Sequence, residues 1–392
     1  MDNTAPQYFL NRVVTNISIV LLMLVSLFPY LKSSPLTSDV QAHVFIIFSV
    51  LFLVALLLGN RGRRECLLIL LGGVAALLTA VLDGAMFDYI RIVFFFLMIY
   101  ITLALLPKNL ELAYKVVAVS VVVYFLGSIA QLILGMSVLE PFVSNLRFSD
   151  SRGLTSFASE PSFLGLVSLC QLLLLEILPG KMKRYFQFLG FLNVLFCASM
   201  TAIFPAFVIL FFYIVLHKKK YFIGLLLLLF MMLGVFFLKG GYGDLRVFML
   251  LEQLLVDPLG LLSSDLSVIN RFVRSFGPLY LAIVDGFGFH FFNTLDTDLN
   301  RIIILWGVNP DAEITRLSNI MTYLIYPYGL FGLFVVVCYL FFFLLSAFPS
   351  YFKLAVVFFL IANISIITPY VLLLLSITMQ VKYYKNFKFL RF

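Results

Sequence analysis

Long apolar runs separated by short polar turns make up most of the chain, and many of them are longer than core helices need to be. A helix crosses the hydrocarbon layer with about 20 apolar residues, somewhat fewer where it is buried among others. By that measure the pattern predicts twelve spans: 13–31, 43–59, 66–82, 89–106, 114–135, 162–178, 185–197, 202–216, 221–238, 329–345, 354–367 and 370–381. The turns between them carry basic clusters such as NRGRRE after the second, KMKR after the sixth and HKKK after the eighth. The seventh run is the shortest; if it were re-entrant, every later span would reverse direction.

Two segments break the alternation. The first, 136–161, ends in the stretch RFSDSRGLTSFASEPSFLG (Arg147 to Gly165), with Arg147, Arg152, Asp150 and Glu160 between two apolar runs. Charge at a membrane interface is costly unless solvated or bound, so this stretch is either an ordinary solvated loop or a binding element. The second, 239–326, contains two amphipathic pieces, RVFMLLEQLLV (246–256) and NRFVRSFGPLYLAIV (270–284). Arg271 and Arg274, three apart, share one helical face. A helix start follows, with Asn309 as cap, Pro310 at the first position and Asp311 and Glu313 in the first turn. Ile314, Leu317, Met321 and Leu324 form its apolar stripe. These pieces are expected to lie against one mouth of the bundle.

Composition agrees: 63% hydrophobic and 12% charged residues, with 45 Phe, exclude a soluble globular domain. The expected fold is therefore all-α, a polytopic integral membrane protein of about twelve helices forming one transmembrane domain over 1–392. Basic residues concentrate on the cytoplasmic side of membranes. With the N-terminus inside, 17 of the 27 basic and 4 of the 19 acidic residues fall inside, giving +13 inside and −5 outside. Both termini are then cytoplasmic, and 136–161 and 239–326 are external. No cleavable signal peptide is apparent. Cys66, Cys170, Cys197 and Cys338 fall in apolar runs without paired spacing and read as buried hydrophobes. No internal repeat is evident, which weakens an inverted-repeat transporter reading.

The layout resembles a known superfamily. An external loop carries arginines and an R-G-x-x-x-F-x-x-E-P-S-x-x-G run, and a tight helix pair follows. One large external loop then has arginines before G-x-G-x-x-F (Gly286, Gly288, Phe291) and an amphipathic helix leading to Y-G-L-x-G-L (Tyr328 to Leu333). This resembles the O-antigen and polysaccharide polymerases of the Wzy type, a superfamily shared with O-antigen ligases. Arginine-to-glycine spacings of some members are not met: Ala158 lies eleven residues after Arg147 and Asp285 eleven after Arg274. Where ligases often carry His-Asn, this chain has Ser318-Asn319, which favours polymerase.

The resemblance implies glycosyl transfer outside the cytoplasm, in the periplasm of a bacterial inner membrane. A growing glycan on undecaprenyl diphosphate is passed to a single lipid-linked repeat unit. The leaving diphosphate needs a cation, and arginine pairs with phosphate without deprotonating. Arg152, Arg271 and Arg274 are the first candidates, then Arg147 and Arg91, with Arg316 also on that side. A base is needed for the acceptor hydroxyl; Glu160 is the first choice, Asp285 and His290 the second. The implied partners are the lipid-linked oligosaccharide and membrane lipids, with room for a chain-length regulator and a flippase.

Each residue has a plainer reading. An arginine on that side is an ordinary lipid-headgroup contact; Glu160 serves the helix dipole; His290 sits in an aromatic cluster of Phe289, Phe291 and Phe292. Asp296-Thr297-Asp298 is a D-x-D, but without a nucleotide sugar outside the cell a metal there is not expected, and no cofactor is expected. Gly241-Tyr242-Gly243-Asp244 lacks the Thr-Val and pore helices of a potassium filter. No nucleic-acid motif accompanies the basic tail. A ligase remains the rival within enzymes. A flippase is the rival outside them, which should line a mid-membrane cavity with charge; here charge gathers in two loops.

Overall fold

The computed structural model describes residues 4–34, 40–58, 64–147, 153–199, 201–203, 205–209, 256, 266–306, 317, 319–346, 348–361 and 368–379. Among these it is helical, with twelve α-helices of described bounds and further helical residues at 201–203 and 205–209. They are α1 Thr4–Leu27, α2 Ala42–Leu58, α3 Arg64–Asp83, α4 Met86–Leu105, α5 Leu110–Leu134, α6 Pro161–Ile177 and α7 Lys183–Phe196, followed by α8 Leu266–Val284, α9 Leu295–Trp306, α10 Ile320–Leu344, α11 Ser350–Ile361 and α12 Pro369–Met379. Four segments, Phe9–Leu27, Asp88–Lys108, Leu110–Leu134 and Ile320–Leu344, are long and apolar enough to cross a membrane, and six shorter apolar helices accompany them. The eighth expected span is described only to residue 209; the ninth and the amphipathic piece at 246–256, apart from Val256, lie outside the described residues.

Burial is arranged for an apolar surround. Leu57, Val81, Leu82, Ile133 and Phe342 point outward, while Ser120, Ser128, Gln131, Gln171 and Asn193 are buried. Where no water is available outside, polar groups find partners only inside. The α5 helix packs against α1, α6 and α7; α4 packs against α2, α3 and α12; α8 packs against α9 and α10. Helix starts follow from local chemistry. Asn109 caps α5 by accepting the Leu112 N–H at 3.1 Å, and Pro161 opens α6, where its missing N–H is not needed.

Short tethers fix which helix ends meet. Lys108, after α4, donates to the Leu58 carbonyl at the end of α2 (2.6 Å), so the start of α4 lies at the same end as the start of α2. There Gln41 donates to Ser144 at 2.7 Å, and residues 31 and 143 form a single antiparallel bridge. At the opposite end Glu176, near the close of α6, accepts from Gln187 (2.8 Å) and Tyr351 (2.9 Å). The short α7 starts beside Glu176. It finishes where α6 began, because the Phe196 carbonyl takes the Leu154 N–H at 2.9 Å. Its 14 residues run antiparallel to α6 for about 21 Å.

Two expectations change in detail. The backbone breaks at Gly329 (φ 50°, ψ −125°), just after Pro327, where the tenth span was expected to start. What differs is that the preceding helical half, from Ile320, runs straight into it, capped by Asn319, whose side chain accepts the Thr322 N–H at 2.7 Å. Proline removes one helical hydrogen bond and only glycine takes up this backbone readily. The expected start at Asn309–Pro310 lies outside the described residues. The second change concerns 153–160, which is folded into the bundle: Thr155, Ser156, Ala158 and Ser159 are fully buried.

Candidate active site

The buried segment is held from below by one amide. Gln131, near the end of α5, accepts the N–H groups of Thr155 (3.1 Å) and Ser156 (2.7 Å). It donates to the Thr155 hydroxyl (2.8 Å) and to the Met136 carbonyl (3.0 Å). Ser156 takes the left-handed conformation (φ 49°), and its hydroxyl bonds the Tyr124 carbonyl at 2.6 Å. Gly127 leaves room for this crossing, since a Cβ there would overlap Ser156 and Phe157. The opposite flank is fixed by α7: Gly153 lies so close to the Cys197 carbonyl that no side chain fits.

This seating brings together two of the residues expected to act. The Arg147 N–H donates to the Ser159 carbonyl at 2.7 Å, closing the loop on itself. The Arg147 guanidinium then stands 3.4 Å from Glu160, whose side chain is 14% exposed against 43% for the arginine. Glu160 occupies the cap position of α6 but makes no side-chain capping bond; its other oxygen accepts the Ser162 hydroxyl. The carboxylate is thus turned toward a cation on the loop. Beneath it, Tyr30 stacks on Phe163 (5.3 Å) and bonds Tyr370 hydroxyl to hydroxyl at 3.1 Å.

A second polar cluster forms at the same end, where the turn between α3 and α4 meets the segment 285–298 and the first half of α10. The His290 ring stacks on Tyr326 (5.0 Å, 21°). Its Nδ1 lies 3.5 Å from Asp298 and its Nε2 3.7 Å from Asp285. Arg301 approaches Asp285 at 3.9 Å. The Tyr326 hydroxyl donates to Asp298 at 2.7 Å, and the His290 N–H donates to the Tyr326 carbonyl at 3.3 Å. Asp83, buried at the end of α3, accepts the Phe292 N–H at 2.9 Å, and Asn293 donates to its main-chain carbonyl at 3.2 Å. His290 is therefore stacked on Tyr326 and flanked by two aspartates, with its buried Nε2 making no hydrogen bond among the described residues; Phe289 and Phe291 are exposed and only Phe292 is buried.

The expected site residues divide accordingly. Glu160 and Arg147 form one cluster, Asp285 and His290 the other. Arg91 belongs to neither ion pair: it binds Asp88 (2.6 Å) and the Tyr323 hydroxyl (3.2 Å), tying α4 to α10 beside the second cluster. Arg274 is half-buried on α8, next to Ser275, whose carbonyl takes the Asn319 side chain at 3.0 Å. Arg271 lies on the same helix. Arg152, Arg316 and the Arg271 side chain fall outside the described residues. Among the described residues, no group of three or more metal-ligating side chains gathers.

Sequence reasoning missed Gln131, Asp83 and Tyr326. Gln131 had a readable signal, as a lone amide inside a span. Asp83 closes an apolar run, and only its tertiary contact to residue 292 marks it out. Chemically, the first cluster pairs a carboxylate that can take a proton with a guanidinium that can hold an anion. The second offers an imidazole between two carboxylates. No protein-family model matches the chain, and no curated protein is similar to it.

Proposed function

We propose that the chain is a metal-independent polysaccharide polymerase of the O-antigen type, working on lipid-linked repeats at the outer face of a bacterial inner membrane. Twelve spans alternate from an inside N-terminus, with 136–161 and 239–326 facing outward. The observation that carries the reading is the Arg147–Glu160 pair, 3.4 Å apart on a loop folded into the mouth of an apolar bundle. A polyprenyl diphosphate needs that combination: apolar walls for the tail, a guanidinium for the phosphates and a carboxylate for the acceptor proton. Arg147, with Arg152, Arg271, Arg274 and Arg316, holds the diphosphate as it leaves, and Glu160 takes the proton of the attacking hydroxyl. The Asp285–His290–Asp298 cluster is the second reading for the base, favoured by the imidazole held between two carboxylates.

The test uses the purified chain in liposomes with the cognate undecaprenyl-diphosphate repeat unit and neither nucleotide nor metal. A ladder of lengths on the lipid carrier is expected, erased by Arg152→Ala, Arg271→Ala or Glu160→Gln. A single unchanged band rejects the polymerase; product formed only with added lipid A-core identifies a ligase, and movement of intact lipid across the bilayer identifies a flippase.

A further inference from the structure

The α5–α6–α7 junction contains a third polar group that the proposed reaction does not use. Gln171 on α6 donates to the Ser120 hydroxyl at 3.0 Å, and Asn193 on α7 donates to the Val121 carbonyl at 3.3 Å. Ser120 and Val121 are consecutive on α5, so both amides reach the same turn of that helix. The register of α6 against α7 agrees: Gly165 faces Cys197 and Gly190 faces Leu172, which sets Asn193 within a turn of both Ser168 and Gln171. Gln171, Asn193 and Ser168 are fully buried. Yet Gln171 Oε1, Asn193 Oδ1 and the Ser168 hydroxyl have no hydrogen-bond partner among the described residues.

Two acceptors and one hydroxyl left bare in an apolar bundle each carry a desolvation cost. We propose that one water molecule is bound at this junction. It donates a hydrogen bond to each amide oxygen and accepts one from Ser168, three bonds of the kind that hold buried waters in proteins. The donor count selects this ligand. A metal ion would satisfy the two amide oxygens but would leave the Ser168 proton unplaced, with no carboxylate in the group to offset its charge.

The direct test is cryo-electron microscopy of the whole chain in lipid nanodiscs at a resolution that shows ordered waters. A peak within about 3 Å of both Gln171 Oε1 and Asn193 Oδ1 is expected. No peak, with the amides turned onto protein donors, overturns the proposal. A thermal series checks it independently. Gln171→Leu and Asn193→Leu should each lower the Tm, and the double variant should fall by clearly less than the sum, because either change already releases the shared water. Fully additive shifts overturn the shared site.

Discussion

At the scale of single residues, Gln131 and Glu160 carry the sharpest expectations. Gln131→Leu removes four hydrogen bonds and leaves the Thr155 and Ser156 amides buried without an acceptor. Buried groups left unpaired cost about 1–3 kcal/mol each, so the variant should lose at least about 2 kcal/mol. Hydrogen exchange at residues 153–157 should rise with it; unchanged exchange would show that the loop does not hang on this amide. Glu160→Gln keeps the size and the Ser162 contact but removes the charge facing Arg147. The glycan ladder should disappear while the melting temperature moves little, and a retained ladder would pass the proton-accepting role to His290. Glu160 and Arg147 were legible in the sequence because charge between apolar runs is conspicuous. Their pairing was not, since it depends on a chain reversal over thirteen residues set by a buried loop.

At the scale of elements, apolar periodicity located most helices to within a few residues, the break at Gly329 included, but placed the start of α1 nine residues late. A stripe of apolar residues followed by a proline and a glycine reads as two elements joined by a turn. The two helical halves meet at a break, where the Leu330 N–H is taken by the Phe287 carbonyl (3.0 Å), so the second cluster's own segment stabilises it. A side chain at Gly329 would overlap the Phe287 and Gly288 carbonyls and would sit at φ 50°. Gly329→Ala should therefore cost more than the 1–3 kcal/mol typical of a strained backbone alone. Gly73→Ala in α3, where only Phe96 lies nearby at 3.8 Å, is the control and should be neutral or mildly stabilising. Equal melting shifts for the two would remove the packing account. Asp83→Ala removes the acceptor of the Phe292 N–H while keeping the main-chain bond to Asn293, and should raise proteolysis near 285–294 with α5–α7 unaffected; uniform protection would refute that tether.

At the scale of the whole molecule, the all-helical class was legible because 63% hydrophobic composition leaves few other folds. The sidedness rests on charge: the tethers place both polar clusters at one end of the bundle but carry no membrane. Single cysteines at Glu140 and Arg61, in a chain otherwise without cysteine, separate the alternatives. An impermeant thiol reagent added outside intact cells should label Glu140→Cys and spare Arg61→Cys; the reverse pattern would invert the topology and remove the external active site.

The bond from Leu154 to the Phe196 carbonyl also sets an order of assembly. During synthesis the segment 153–160 leaves the ribosome long before α7 does, so its upper flank has no acceptor until some forty further residues have been made. Gln131 is already in place by then and can hold the lower flank alone. The loop is therefore a late-closing part of biogenesis, half docked while α6 enters the bilayer and locked when α7 turns back beside it. Nascent chains stalled just after α6 should leave a cysteine at the buried Leu154 open to modification, and chains stalled beyond residue 240 should bury it. Identical reactivity at both lengths would show that α7 has no part in closing the loop.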